Sequence, residues 1–225
     1  MNVPFERKYF RDINFIKSFP SYKLMGGYDS SEILEVAFIG RSNSGKSTLL
    51  NSLCEKKNLA KSGKAPGVTK LINVFANSRY KTDDSIIRQL IDLPGYGYAK
   101  ISHQKAKVIA KNMQEYLINR QCLKAIVMLI DCRQLFKDID FEVIKILPAQ
   151  IRLAIAMSKV DKISSNQILN TKSKIKDSLV EFEKKFSKIN IFPISTIKNH
   201  RYALEGIIEL RKWLMKRLLI KSENI

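Results

Sequence analysis

The residues of this sequence best suited to chemistry form one short segment rich in glycine and serine. The segment matches the pattern G-x-x-x-x-G-K-[ST], and its members are Gly40, Arg41, Ser42, Asn43, Ser44, Gly45, Lys46 and Ser47. The two pattern glycines allow a tight turn whose successive backbone N–H groups point inward and bind phosphate. Lys46 can then reach the β- and γ-phosphates, and the Ser47 hydroxyl can ligate Mg²⁺. The segment therefore predicts a nucleoside-triphosphate site, but it does not separate ATP from GTP.

Two further segments supply groups that a triphosphate and its metal would need. Asp92-Leu93-Pro94-Gly95 follows an apolar run, so the Asp92 carboxylate can hold Mg²⁺ through water while the Gly95 N–H senses the γ-phosphate. Thr69 lies between the two motifs in a basic loop, and its hydroxyl can complete the Mg²⁺ shell when the third phosphate is present. The predicted metal set is Ser47, Thr69 and, through water, Asp92. The loop residues expected to line the nucleotide are Gly67, Val68, Thr69, Lys70 and Leu71.

The choice of base depends on Ser158-Lys159-Val160-Asp161. The Asp161 carboxylate can accept hydrogen bonds from the ring N–H and the exocyclic amine of guanine. Adenine lacks that amine and would leave a buried carboxylate unpaired, so such a site can reject the wrong base by ~10⁴-fold. The aliphatic part of Lys159 can cover the base. These residues predict guanine, and a P-loop ATPase is the less favoured alternative.

The elements that must position these motifs alternate between apolar strands and amphipathic helices. This alternation predicts an α/β fold with a mostly parallel sheet of six strands and helices on both faces. Each motif follows a predicted strand, and open α/β sheets bind ligands at the carboxyl ends of their strands. One domain is expected over residues 31–221, after an irregular N-terminal extension over residues 1–30. The predicted strands are 35–39, 71–76, 86–91, 125–130, 153–157 and 189–194, and the helices are 47–54, 103–119, one ending near 148, 165–186 and 202–221.

Composition narrows the class of protein and its partners. The formal net charge is +19, which favours a polyanion such as RNA, although compositional drift toward lysine remains an alternative. Residues 41–81 contain nine Lys and Arg against one Glu, and residues 100–124 contain six against one. No apolar run reaches the ~20 residues of a membrane-spanning helix, and no secretory signal is evident. Three scattered cysteines fit a reducing cytoplasm better than a disulfide framework.

On these motifs the sequence resembles the EngB (YsxC/YihA) family of bacterial GTPases. The resemblance extends over about residues 35–215 and is carried by the phosphate loop 40–47, by 66–69, by 92–99 (D-L-P-G-Y-G-Y-A) and by Asp131-Cys132-Arg133 with Asp140. It implies the three-layer fold of a P-loop G domain and binding of GTP or GDP with Mg²⁺. Separately, we expect a monomer in the cytoplasm. The resemblance also implies a role in assembling the large ribosomal subunit, with rRNA as the partner and no recognition of a DNA sequence. Family members are also linked to cell division and septation.

The sequence departs from the family pattern at two places. The guanine motif usually opens with Asn or Thr, whereas Ser158 stands here, and its shorter hydroxyl would have to tether the phosphate loop. A later small-residue turn is expected to present a backbone N–H to the guanine oxygen. Ile194, Ser195 and Thr196 fit that place, but residues 197–200 lack the glycine that often follows, so the donor is left open.

The expected catalytic groups are Lys46, Thr69, Gly95 and Asn43. Ras-like enzymes orient the attacking water with a glutamine at the position of Tyr96, and a phenol with a pKa near 10 is a poor base, so slow intrinsic hydrolysis is expected. Related potassium-activated GTPases carry an asparagine where Asn43 stands, which suggests a K⁺ ligand; alternatively, Asn43 only braces the loop.

Two alternatives concern what the loops contact. Tyr96, Tyr98 and Ala99 could form an apolar switch surface, surrounded by lysines that face RNA; these are Lys61, Lys64, Lys70 and Lys100. In that case the protein could act mainly as a ribosome- or rRNA-binding module, with nucleotide as a conformational ligand and hydrolysis incidental.

Overall fold

The computed structural model describes residues 3–26, 32–60, 71–77, 86–97, 103–186, 188–197 and 200–219. Within them lies one seven-stranded sheet with strand order β1-β3-β4-β2-β5-β6-β7. Strand β3 runs antiparallel to both of its neighbours, and the remaining pairs are parallel. The strands are β1 (Ile13–Phe19), β2 (Ile33–Gly40), β3 (Ile72–Asn77), β4 (Ile87–Asp92), β5 (Leu123–Asp131), β6 (Arg152–Ser158) and β7 (Asn190–Pro193).

The prediction of a mostly parallel α/β sheet is confirmed, but the expected number of six strands is wrong. The seventh strand is β1, which lies in the segment expected to be irregular. It follows a short helix, α1 (Phe5–Arg11), and pairs with β3 at one edge of the sheet. Because only Ile13 and Phe19 of β1 are buried, the strand lacks the continuous apolar run by which the central strands were recognised.

The sheet is covered on both faces, and alternate residues of β2 show this directly. Val36 and Phe38 belong to one apolar cluster, with α1, α2 (Lys46–Leu53) and α7 (Arg201–Leu219). Ala37 and Ile39 belong to the other, with α3 (His103–Asn119), α4 (Asp138–Ile146) and α5 (Ser165–Asp177). Since side chains alternate across a strand, this two-sided burial makes the central strands apolar throughout. The result is a three-layer fold.

The lysine-rich segment predicted as one helix over 165–186 is divided in the structure. Helix α5 begins at a capping box in which Ser164 Oγ accepts from Gln167 N, and it ends at Asp177. A 3₁₀ turn, Val180–Phe182, and a short helix, α6 (Glu183–Phe186), follow. Leu179, Phe182 and Phe186 of this broken segment are all buried in the core.

No helix in the described parts of the chain is both long enough and apolar enough to cross a membrane. All three cysteines, Cys54, Cys122 and Cys132, are buried free thiols. Burial raises the pKa of Cys54 to about 12 and, with the nearby Asp131 charge, that of Cys132 to about 11. Both thiols therefore stay protonated at neutral pH.

Candidate nucleotide site

The predicted motifs meet at one edge of the sheet. Gly40, Asp92, Asp131 and Ser158 are the last residues of β2, β4, β5 and β6, and these four strands are parallel. Their carboxyl ends therefore open on the same side, where doubly wound sheets bind ligands. The phosphate loop leaves β2 at the centre of this edge and enters α2.

The phosphate loop has the backbone its sequence requires. Gly45 has φ +98° and stands directly before α2, in a left-handed conformation that glycine adopts without strain. Asn43, at φ +65°, is exposed, and asparagine is among the residues that tolerate this region. The loop thus delivers the N-terminus of α2, with its positive dipole end, to the site.

Two buried charges face each other beneath the loop. Lys46 Nζ lies 2.8 Å from Asp92 Oδ1, and both side chains are less than a tenth exposed. Ser47, half-buried, follows Lys46 in the first turn of α2. A hydroxyl and a carboxylate are the hard oxygen donors that Mg²⁺ prefers, so this set fits the predicted metal. The cation would supply positive charge between the phosphates and Asp92.

The Ser158 hydroxyl reaches the phosphate loop despite its short side chain. It donates to the carbonyl oxygen of Ser44 at 2.8 Å, with Ile130 O a longer alternative acceptor at 3.3 Å. Ser158 is buried at the end of β6, which brings its Oγ close enough to replace a longer asparagine. The family departure at this position therefore leaves the tether intact.

Lys159 links the guanine motif to the phosphate loop. Its Nζ lies 2.8 Å from Asn43 O and 3.0 Å from Asp131 Oδ2. Asp131 also accepts two side-chain hydrogen bonds from Arg133. Burial favours the neutral acid, but the hydrogen bonds from Arg133 and Lys159 outweigh it and hold the pKa of Asp131 well below its usual range. Asp131 is therefore ionised and fixes the ammonium of Lys159.

Asp161 is oriented by the segment that follows β7. Ser195 Oγ donates to Asp161 Oδ1 at 3.0 Å and accepts from Ile197 N at 3.1 Å. Ser195 N donates to Tyr202 O, so two of the three neighbouring amides are engaged. The N–H of Thr196 has no partner among the described residues. Of the candidates left open by the sequence, Thr196 N is therefore the amide that no described residue engages.

Other predicted residues act through their backbone. Leu93, Val160 and Ile194 are buried in the core. Leu93 N donates to Phe38 O, and Val160 N donates to Ile194 O. Pro94 is also buried. These residues hold the motifs on the sheet, so their side chains are not surfaces for the nucleotide.

Gly95 and Tyr96 lie directly on the phosphate loop. Ser42 N donates to Tyr96 O at 2.9 Å, and Tyr96 N donates to Gly40 O at 3.3 Å. A methyl group on Gly95 would come within 3.2 Å of the Ser42 backbone. Tyr96 is 4% exposed, so the described part of this segment does not form the apolar switch surface considered above. A side chain at Gly95 would therefore force the two backbones apart by a few tenths of an ångström.

Part of the predicted site falls outside the described residues. That part includes the predicted nucleotide-loop residues Gly67, Val68, Thr69 and Lys70 and the switch residues Tyr98 and Ala99. It also includes all four lysines expected around the switch surface, which are Lys61, Lys64, Lys70 and Lys100. Leu71 is described; it precedes β3 and is 39% exposed.

Sequence spacing did not reveal several contacts. Arg41, at the start of the loop, pairs with Asp140, which also accepts from the Tyr96 hydroxyl. Ser195 and Asp161 are 34 residues apart, and Tyr96 and Asp140 are 44 apart. Two sequence signals pointed to Asp140: its place in a stretch similar to one family, and the expectation that Asp138 or Asp140 caps the helix ending near 148. The structure places Asp140 in the capping box of α4.

Comparison with known proteins decides which family this is. A family model described as "50S ribosome-binding GTPase" matches residues 35–159. A Shewanella protein (strain ANA-3) described as a "probable GTP-binding protein EngB" is 36% identical over 191 residues, covering 84% of this chain and 83% of its own.

The chain belongs to the EngB family of GTP-binding proteins, within the ribosome-binding GTPases. The resemblance seen in the sequence is thereby confirmed, and the protein is a GTPase by family.

Solved structures agree on the fold. A crystal structure of a probable EngB protein is 22% identical, with a TM-score of 0.57, and covers 82% of this chain and 98% of its own. Era bound to MgGDPNP and nucleotides 1506–1542 of 16S ribosomal RNA is 24% identical, with a TM-score of 0.59, and covers 86% of this chain and 59% of its own. At these identities they show a shared P-loop GTPase fold.

Proposed function

We propose that this protein uses a Mg²⁺-dependent GTP cycle to assist assembly of the large ribosomal subunit in the cytoplasm, as a monomer. The observation that carries the proposal is the convergence of Lys46, Asp92, Lys159 and Asp161 on one sheet edge in a chain of the EngB family. In this site the phosphate loop holds the phosphates, Asp161 selects guanine, and Gly95 contacts the γ-phosphate. Loss of the protein is expected to disturb cell division and septation.

The structure also supports slow intrinsic hydrolysis. Tyr96 occupies the position where Ras-like enzymes orient water, but its hydroxyl donates to Asp140 and is buried. Burial, together with the Asp140 charge, raises the pKa of Tyr96 well above its usual range. The phenol is therefore neither an available base nor directed at a water molecule, and faster turnover would need an activator or a cation.

An RNA partner is supported by the exposed face of α5. Lys172 and Lys176 stand four residues apart on this helix, both exposed, and neither makes an ion pair with a described residue. Such lysines can neutralise phosphates and release counterions. When both are changed to glutamine, binding to ribosomal particles is expected to depend less on salt. The plot of log affinity against log salt concentration should have a slope that is less negative by about 1.5.

The matched control uses two lysines already engaged with carboxylates. Lys145 and Lys212 are exposed but lie 2.9 Å from Glu142 and Glu209, respectively. The Lys145→Gln/Lys212→Gln variant has the same net charge as the α5 variant. An equal fall in salt slope for both variants would show a general charge effect instead of an RNA-binding face.

The central experiment is co-sedimentation with purified ribosomal subunits in the presence of GDP, of a GTP analogue, or of no nucleotide. Selective binding to large subunits with the GTP analogue is expected. Complementation by Lys46→Ala then separates the two modes of action. If assembly proceeds normally with this variant, the nucleotide cycle is dispensable and the protein acts as a binding module.

A further inference from the structure

A buried carboxylate connects the phosphate loop to the segment that carries Gly95. Asp140 Oδ1 accepts from the Tyr96 hydroxyl at 2.8 Å, and Asp140 Oδ2 lies 3.3 Å from Arg41 Nε. Asp140 is 0% exposed, and the Arg41 side chain is 10% exposed. The Asp140 carboxyl group thus connects the start of the phosphate loop and the segment after β4 to α4. We refer to Arg41, Tyr96 and Asp140 as the Asp140 network.

Asp140 is itself held firmly in place. It lies in the first turn of α4, where its Oδ2 accepts from Lys137 N at 2.8 Å, as in one half of a capping box. The carboxyl group thus lies at the positive end of the helix dipole. The Arg41 guanidinium is fixed in turn by hydrogen bonds to Gln134 Oε1 and Leu135 O. The network therefore has a rigid base in the loop before α4.

The network acts on the residue next to Gly95. Tyr96 is bound to the phosphate loop through its own N–H and carbonyl, and its side chain is bound to Asp140. Gly95 is consequently held against Ser42 between two fixed points. A γ-phosphate that accepts from the Gly95 N–H would find this segment already ordered, whereas a diphosphate makes no such contact.

We infer that Asp140 is a positioning residue that holds Gly95 ready for the γ-phosphate and so raises the affinity for GTP relative to that for GDP. This inference rests on the proposed nucleotide site. Without the network, the segment must be ordered when GTP binds, and the apparent affinity is the intrinsic affinity multiplied by the fraction of molecules that are already ordered. GDP binding does not include that cost.

The chain provides a matched control in a second buried network. Tyr116 donates to Glu35 Oε2 at 2.6 Å, and Arg120 binds the same carboxylate with two hydrogen bonds. Tyr116 and Glu35 are 0% exposed. Glu35 stands five residues before Gly40 in β2, about 16 Å from the phosphate loop. Tyr116→Phe therefore removes the same atom from an equivalent bond away from the nucleotide.

The test measures affinities for GDP and for a non-hydrolysable GTP analogue in wild type, Tyr96→Phe and Tyr116→Phe. Loss of a hydrogen bond to a charged group is expected to weaken analogue binding by Tyr96→Phe about tenfold, with GDP affinity within about twofold of wild type. Tyr116→Phe is expected to lower the Tm to a similar degree and to leave the ratio of the two affinities unchanged.

A second variant keeps the test decisive if Tyr96→Phe folds poorly. Asp140→Ala removes the acceptor and is expected to shift the same ratio at least as far, and adding Tyr96→Phe in that background is expected to change it little further. An equal loss of GDP and analogue binding in the Asp140 network variants, or an unchanged ratio, overturns the positioning role. If wild type binds neither nucleotide, the proposed site itself has failed.

Discussion

Removal of the Ser158 hydroxyl is the most direct perturbation of the guanine site. Its hydrogen bond to Ser44 O is 2.8 Å long and buried, and it connects the end of β6 to the phosphate loop. Among the described residues, Ser44 O has no other donor. Ser158→Ala would therefore remove the bond and leave a carbonyl unpaired in a site where Ser44 is only 4% exposed.

The expected cost follows from that geometry. A hydrogen bond contributes about 0.5–1.5 kcal/mol net, and an unpaired buried acceptor costs about 1–3 kcal/mol. Because water can partly solvate a loop at the surface, we expect a loss of about 1.4 kcal/mol, or tenfold in affinity for GDP. The loss appears in nucleotide binding because the tether holds the loop conformation that receives the phosphates.

Titration with fluorescent GDP measures this loss, and two variants control it. Ser178 Oγ also donates to a carbonyl, Lys174 O, at 2.8 Å, but it is exposed at the end of α5. Ser178→Ala is expected to bind GDP as wild type does, whereas Ser158→Thr keeps a hydroxyl and should recover most of the affinity. If Ser158→Ala binds GDP within twofold of wild type, the tether contributes nothing to binding and the reasoning is refuted.

Three further predictions follow. Burial disfavours ionisation of Glu55, but hydrogen bonds from Arg7, Arg11 and Arg211 outweigh it and lower its pKa to about 2. Its stabilisation is thus present above the unfolded pKa and is lost as the pH falls from about 5 to about 2, so Glu55→Gln should flatten the Tm profile there. Hydrolysis should be faster in KCl than in NaCl, and Asn43→Ala should abolish the difference; equal rates in wild type would remove the K⁺ role. Asp161→Ala should lose the preference for GDP over ADP in a competition assay, and retention of it would place base recognition elsewhere.

The sequence predicts the centre of this molecule well because the motifs are local. A phosphate loop needs glycines, a lysine and a serine within eight residues, and the two-sided burial of β5 and β6 leaves an unbroken apolar run. The edges are harder to predict. Strand β1 buries only its two ends, so its pairing with β3 depends on contacts far away in sequence.

The sequence predicted the parts of the site that a single local motif defines. It did not predict contacts between residues that are distant in sequence. Asp161 is recognisable within its own motif, but its hydrogen bond with Ser195 is known only from the fold. The conformation of Asn43 illustrates a further limit. Its φ of +65° gives a backbone reason for asparagine that is independent of any cation, so residue type alone cannot decide the K⁺ role.

The net charge of +19 overstates the surface available to RNA, because several cations are committed to the fold. Lys46 faces Asp92, Arg120 binds Glu35, and Arg211 binds Glu55 and backbone carbonyls of α2. All three are buried, so they cannot release counterions from a phosphate backbone. Arg120, one of the six basic residues in 100–124, is therefore not available to bind RNA. The salt dependence of ribosome binding should change when exposed, unpaired lysines such as those of α5 are replaced. If replacing any cation, buried or exposed, changes the salt slope equally, the distinction between buried and exposed cations is wrong.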